Sequence, residues 1–266
     1  MKPYTETPAS SCDRGGFTQI ELLVVITIIA ILAATFLPAL TRSKNRALAA
    51  TDINNCEQVM LANNMYALDN LDFLAAPGWS TATDCWAVSK NMPIGPTPAA
   101  GFAALYAQQL QYFNGIGLNP PAPGLLYQYI KNEKLLLCPQ DVPNADYYLR
   151  GEMISSYVWD GAIAGFSTGN SFKLANFKAS NIVQWENNEK NTAAGSWNDF
   201  SNYPLEGGTS TANITFSRRH GKAAQVGRLD GSAARITYAE MAAMALAPIG
   251  GAKNDLWYNP NSANGH

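Results

Sequence analysis

The sequence predicts an α+β protein: one long N-terminal helix, apolar in its first half, followed by a small head built on an antiparallel sheet. Three observations predict it. Leu22–Thr41 is a run of 20 residues without a charge. Beyond it, Ala49, Ile53, Cys56 and Met60 recur at spacings of 4, 3 and 4, a helical stripe suited to packing on a sheet. After residue 71 this period stops, and short apolar runs alternate with turn residues such as Asp160-Gly161, His220-Gly221 and Asp230-Gly231.

The apolar run is long enough to cross a membrane. Phe17–Leu37 spans roughly 31 Å as α-helix, against a hydrocarbon core of about 30 Å. A secreted leader peptide is a poorer reading, because its apolar region is shorter and ends in a small-residue cleavage site. The first such site, Ala47-Leu48-Ala49, lies beyond Arg42, Lys44 and Arg46. Within the apolar stretch stands one carboxylate, Glu21. An acidic residue there costs a few kcal/mol and marks a function or a specific partner. With 18 Lys+Arg against 20 Asp+Glu, the chain has no basic field for a phosphate backbone, which argues against nucleic-acid binding. Two histidines leave little room for His-based catalysis or metal binding.

The segment Arg14-Gly15-Gly16-Phe17-Thr18-Gln19-Ile20-Glu21-Leu22-Leu23-Val24-Val25-Ile26 resembles the processing site of type IV prepilins and type II secretion pseudopilins. The resemblance implies cleavage by a prepilin peptidase after Gly16 and methylation of the new amine of Phe17. It also implies that Glu21 neutralises the N-terminal amine of a neighbouring subunit in a filament. Pro38 takes the place of a helix-bending proline, since it lacks the N–H of one helical hydrogen bond. The implied partners are other copies of the chain, minor pilins, an inner-membrane assembly platform and membrane lipid. The implied location is the inner membrane, single-pass, with the head in the periplasm and a periplasmic or cell-surface filament as the assembled form. Counting basic residues alone points the other way, because Arg42, Lys44 and Arg46 follow the span.

The domain organisation expected is a leader over 1–16, a helix over 17–70 with a transmembrane half over 17–40, a head over 71–247 and a loose tail over 248–266. A helix ending near Asp69-Asn70 is roughly 78 Å long. In the head, Gly101–Phe113 and Ala239–Leu246 read as helices. Ser155–Trp159, Ile182–Trp185, Ile214–Arg218, Ala223–Leu229 and Ala233–Tyr238 read as strands.

The head resembles a branch of the pseudopilin-like proteins that ends in an H-x9-DG motif. The matching residues are Met65–Asn70, Leu126–Ile130 with Leu137-Cys138-Pro139-Gln140-Asp141, and Arg219-His220-Gly221-Lys222 leading to Asp230-Gly231. Asp52 stands where many relatives carry a cysteine. The role of His220, Asp230 and Gly231 is open at this stage, with a His220–Asp230 hydrogen bond across the hairpin as the expected arrangement.

Of the four cysteines, Cys12 leaves with the leader, and the other three would face an oxidising compartment. Sequence does not select a pair; Cys85–Cys138 is the expected disulfide because Cys56 lies on the helix stripe and serves as a small hydrophobe. Gly165-Phe166-Ser167-Thr168-Gly169 is a literal G-x-S-x-G, and Asp199 and His220 follow in hydrolase order. No helical stripe follows Ser167, so an enzyme is not expected. Asp141, Asp146, Asp199 and Asp230 are scattered without a compact ligand loop, so neither a metal site nor a cofactor is expected. The six tryptophans could expose a carbohydrate-binding face, although sheet packing is their commoner use.

Overall fold

The computed structural model describes residues 18–78, 82–95, 97–168, 170–188, 200–205, 214–247 and 251–266. The chain divides into two compact units, Met1–Asn45 and Arg46–His266. In the first, the described residues form the opening of helix α1, which runs over Gln19–Asp69 and contains Pro38. Large apolar side chains from Ile20 to Leu40 are all exposed, which leaves this stretch apolar on every face. Among the described residues, α1 is the helix long and apolar enough to cross a membrane.

In the second unit, the remainder of α1 lies on a five-stranded sheet. The strands are β1 (Tyr157–Asp160), β2 (Ile182–Glu186), β3 (Ser201–Asn202), β4 (Ala223–Arg228) and β5 (Ala233–Thr237), in the order β3-β1-β2-β4-β5. All neighbours pair antiparallel except β1 with β3. Helix α2 (Phe102–Asn114) ends on Gly115 in the left-handed region. Helix α3 (Tyr238–Ala245) begins with a capping box between Thr237 and Glu240.

The sheet is covered on both faces. Tyr157, Trp159 and Val183 join Cys56, Val59 and Met60 of α1 in one core. Val158, Trp185, Val226 and Ile236 join Met241 of α3 and Leu256 in the other. Successive residues of a strand point to opposite faces, so β1 and β2 are buried along their whole length. Val183 and Gln184 escape that alternation: both belong to the α1 side, with Gln184 Oε1 accepting from Trp159 Nε1 at 3.0 Å. The register shift between Ile182 and Gln184 accommodates them. Gly227 admits the helix closely, because a Cβ there would stand 2.5 Å from Met60 Cγ.

Three expectations are corrected. Ile214–Arg218 is no strand; Ile214 and Phe216 form isolated bridges with Leu205 and Asn187. The short strand β3 replaces it in the pairing scheme. The tail is not loose: Leu256, Trp257 and Tyr258 are buried, with Trp257 Nε1 donating to Ala245 O and Tyr258 Oη to Ile182 O. The buried face of α1 is also more polar than a stripe of apolar residues, since it carries Asp52, Asn55 and Asn63. Asn55 Nδ2 donates to Leu137 O, and Asn63 Oδ1 accepts from Ala75 N, so both amides hold connecting segments against the helix.

Trp86 and Trp159 stack in the core with ring centroids 4.8 Å apart, and Trp185 is fully buried. These tryptophans pack; Trp79 and Trp197 lie outside the described residues.

Candidate functional site

Two places carry the predicted functional residues. At the N-terminus, Gly16 and Phe17 lie outside the described residues. Thr18 and Glu21 begin α1 with a capping box. Glu21 Oε2 accepts from both the backbone N–H and the hydroxyl of Thr18 at 2.8 Å, and Thr18 Oγ1 accepts from Glu21 N at 3.2 Å. A carboxylate in this position also favours the positive end of the helix dipole. The T-x-x-E spacing is readable in the sequence, and it supplies a local partner for Glu21 beside the one the resemblance implies.

The second place lies in the head and gathers motif residues that are far apart in the chain. Asp52 comes from α1, Cys138 from the turn Cys138–Asp141, Glu186 from the end of β2, and His220 from the loop entering β4. One atom from each of these four buried side chains lies within 4.8 Å of all the others. His220 Nε2 stands at the centre: 3.0 Å from Asp52 Oδ2, 3.1 Å from Glu186 Oε1 and 3.4 Å from Cys138 Sγ.

Local structure places each donor. Cys138 N donates to Ser156 Oγ at 3.0 Å, and Asp141 N closes the turn on Cys138 O at 2.9 Å. Glu186 Oε2 accepts from Gln225 N at 2.9 Å, pinning β2 to β4. Asp52 Oδ1 accepts from the Tyr157 hydroxyl, a short contact between α1 and β1. Arg219 extends the cluster outward, with Nη1 3.3 Å from Glu186 Oε1 and Nη2 3.2 Å from Asp141 Oδ1. Asp141 in turn holds Arg150 through two bonds of 2.7 Å.

These neighbours decide the charges. Burial pushes the His220 imidazole down, but Asp52 and Glu186 beside it outweigh that and raise it to about 9. Burial and the nearby Glu186 raise the Asp52 carboxyl above its ordinary range. Burial also pushes Glu186 up, yet His220 and Arg219 bring it below the ordinary value. With His220 and Arg219 positive, the carboxylates Asp52 and Glu186 are balanced, and Arg150 balances Asp141.

The predicted His220–Asp230 bond is not made. Asp230 Oδ1 instead accepts from Ser232 N at 2.8 Å, shaping the β4–β5 turn, while His220 faces the cluster. Gly231 sits in that turn at φ +89°, and a Cβ there would lie 3.2 Å from Leu61 Cδ2 and 3.3 Å from Asn64 Nδ2 of α1. The H-x9-DG residues thus share one structural consequence: His220 engages α1 through Asp52, and Gly231 lets the turn approach Leu61 and Asn64. Gly231→Ala is expected to destabilise the head by about 1–2 kcal/mol through left-handed strain alone. Thermal unfolding of the detergent-solubilised protein measures it, and an unchanged midpoint contradicts it.

The Cys85–Cys138 disulfide is corrected as well. No disulfide joins any two of Cys56, Cys85 and Cys138. Cys85 Sγ accepts from Val88 N at 3.4 Å, whereas Cys138 Sγ lies against His220. The two sulfurs are occupied in different surroundings.

Ser167 does not sit on a strand-to-helix turn. It follows the short helical turn Gly161–Ala164 and donates its hydroxyl to Ala164 O at 2.9 Å. Its supposed base, His220, faces Asp52, Glu186 and Cys138, and Asp199 lies outside the described residues.

Sequence reasoning missed Asp52 and Glu186 as site residues. Their signal was weak: an acidic residue on the packed side of a helix, and another closing an apolar strand.

Residues 12–37 match the family model described as the prokaryotic N-terminal methylation motif. The chain has a prepilin-type N-terminus. The match covers the predicted cleavage point, Glu21 and the apolar run up to Leu37, and with the apolar opening of α1 it is consistent with membrane anchoring. Comparison with curated proteins and with solved structures finds no match for the chain.

Proposed function

We propose that the protein is a pilin or pseudopilin, a structural subunit of a type II secretion pseudopilus or a type IV pilus-like filament. The observation that carries this reading is the methylation motif over residues 12–37 running directly into the exposed apolar opening of α1. On this reading a prepilin peptidase cuts after Gly16, the amine of Phe17 is methylated, and the apolar helices pack against one another in the filament. The burial of Glu21 among them is tolerated because a neighbouring subunit's N-terminal amine neutralises it. The α+β head faces the periplasm and does no chemistry of its own. Its partners are further copies of the chain, minor pilins, the inner-membrane assembly platform and lipid.

Intact-mass measurement of the membrane form tests the processing step. A chain beginning at methylated Phe17 is expected; one retaining Met1–Gly16 overturns the proposal in favour of a membrane-tethered module. Glu21→Ala is expected to leave cleavage intact and to abolish filaments in shear preparations, and filaments in normal yield from that strain would contradict the role given to Glu21.

A further inference from the structure

We infer that Asp52, Cys138, Glu186 and His220 form a closed, four-coordinate site for a divalent zinc ion inside the head.

The donors around His220 pose a counting problem. His220 Nε2 is surrounded at 3.0, 3.1 and 3.4 Å by two carboxylate oxygens and a sulfur. One ring nitrogen carries one proton and donates along one direction. That direction suits Glu186 Oε1, and Asp52 Oδ2, fully buried, is left without a hydrogen-bond donor. A buried carboxylate oxygen in this condition is costly. A cation at the point where the four donors converge satisfies all of them together.

The distances agree with such an ion. Zinc bonds to imidazole, carboxylate and thiolate are about 2.0–2.3 Å, so neighbouring donors of a tetrahedron stand about 3.3–3.7 Å apart. The separations around Nε2 are a few tenths of an ångström shorter or within that range, and every pair lies inside 4.8 Å. The donor types agree as well. A thiolate and an imidazole beside two carboxylates suit zinc, whereas the hard cations calcium and magnesium prefer oxygen alone.

The outer partners of a metal site are present too. Tyr157 Oη donates to the free oxygen of Asp52, Gln225 N to that of Glu186 at 2.9 Å, and Gln140 N to Cys138 Sγ at 3.4 Å. Such contacts orient metal ligands and hold their deprotonated forms. Charge also closes. Three anionic donors leave a zinc site one negative charge in excess, which Arg219 Nη1, 3.3 Å from Glu186, neutralises. Zinc entering in exchange for the Cys138 and His220 protons therefore leaves the net charge of the cluster unchanged. Because all four positions are protein atoms, the ion is structural: it ties α1 to the turn, to β2 and to the loop before β4. This inference is independent of filament assembly.

The test uses the full-length chain, untagged and solubilised in detergent, with Zn²⁺ and Co²⁺ as the probes. After metal depletion and reloading, one zinc per chain is expected to survive dialysis, measured by elemental mass spectrometry. Co²⁺ is expected to give the intense visible bands of a tetrahedral site and a thiolate-to-cobalt charge-transfer band. Cys138→Ser, nearly isosteric, is expected to abolish that band and to weaken zinc binding at least tenfold while circular dichroism shows the fold retained. His220→Ala is expected to lose the metal as well. Failure of the wild-type chain to retain zinc overturns the inference, and so does retention that is equal in Cys138→Ser and His220→Ala.

Discussion

Glu186→Ala is expected to lower the unfolding free energy of the metal-depleted protein by about 3–5 kcal/mol, the range for removing one partner of a buried ion pair. Glu186 is fully buried and receives three contacts: His220 Nε2 at 3.1 Å, Arg219 Nη1 at 3.3 Å and Gln225 N at 2.9 Å. Alanine removes the charge that holds His220 and Arg219 in place, and also the acceptor for a backbone N–H of β4. Glu186→Gln keeps the shape and one acceptor, so a smaller loss is expected. Chemical unfolding in the presence of a chelator measures the network apart from any bound ion. A loss below about 1 kcal/mol for the alanine variant, ordinary for a surface change, would show that the network contributes little.

Arg150→Met is expected to cost a similar amount, about 3–5 kcal/mol at neutral pH, and to change the response to acid. Arg150 is 1% exposed and grips Asp141 through two bonds of 2.7 Å. Burial alone pushes the Asp141 carboxyl up, but Arg219, Arg150 and the Ser156 hydroxyl more than reverse that and hold it below the ordinary range. Its folded value is therefore lower than its unfolded value of about 4. The unfolded chain binds the proton first, so this stabilisation is complete above about pH 5 and is lost as pH falls through the folded value. Removing Arg150 brings the folded value closer to the unfolded one. The acid limb of the stability profile should then be flatter in Arg150→Met than in the wild type. Parallel limbs would assign the acid response to other carboxylates.

Much of the fold was legible because local rules govern it. The end of α1 at Asp69, the extent of α2 over Phe102–Asn114, and strands β2, β4 and β5 follow from period, turn residues and caps within a few positions. The segment Ile214–Arg218 shows where such rules stop. It has the apolar alternation of a strand, but pairing needs a neighbour, and the sheet places β3 beside β1 instead. The buried tail failed for the same kind of reason. Leu256-Trp257-Tyr258 is too short to announce a core segment, and its burial comes from both faces of the sheet, Leu256 in one core and Tyr258 in the other.

The cysteines teach a related lesson. Their number and the compartment expected for them suggested a disulfide, yet a disulfide needs two side chains brought face to face. Packing sends Cys138 to His220 and Cys85 to Val88, so the count alone chose the wrong chemistry.

By itself, the sequence determined the N-terminal segment of this protein. The Gly16-Phe17 pair, the T-x-x-E box ending in Glu21 and the apolar run are contiguous, and contiguous residues need no fold to act together. Only the tertiary structure decided the head site. His220 meets Glu186 across 34 residues and Cys138 across 82, and it meets Asp52 on a helix that the sheet must first receive. No spacing encodes such a meeting. It follows from the sheet order, from the approach that Gly227 and Gly231 allow to α1, and from the cost of burying a charge without a partner.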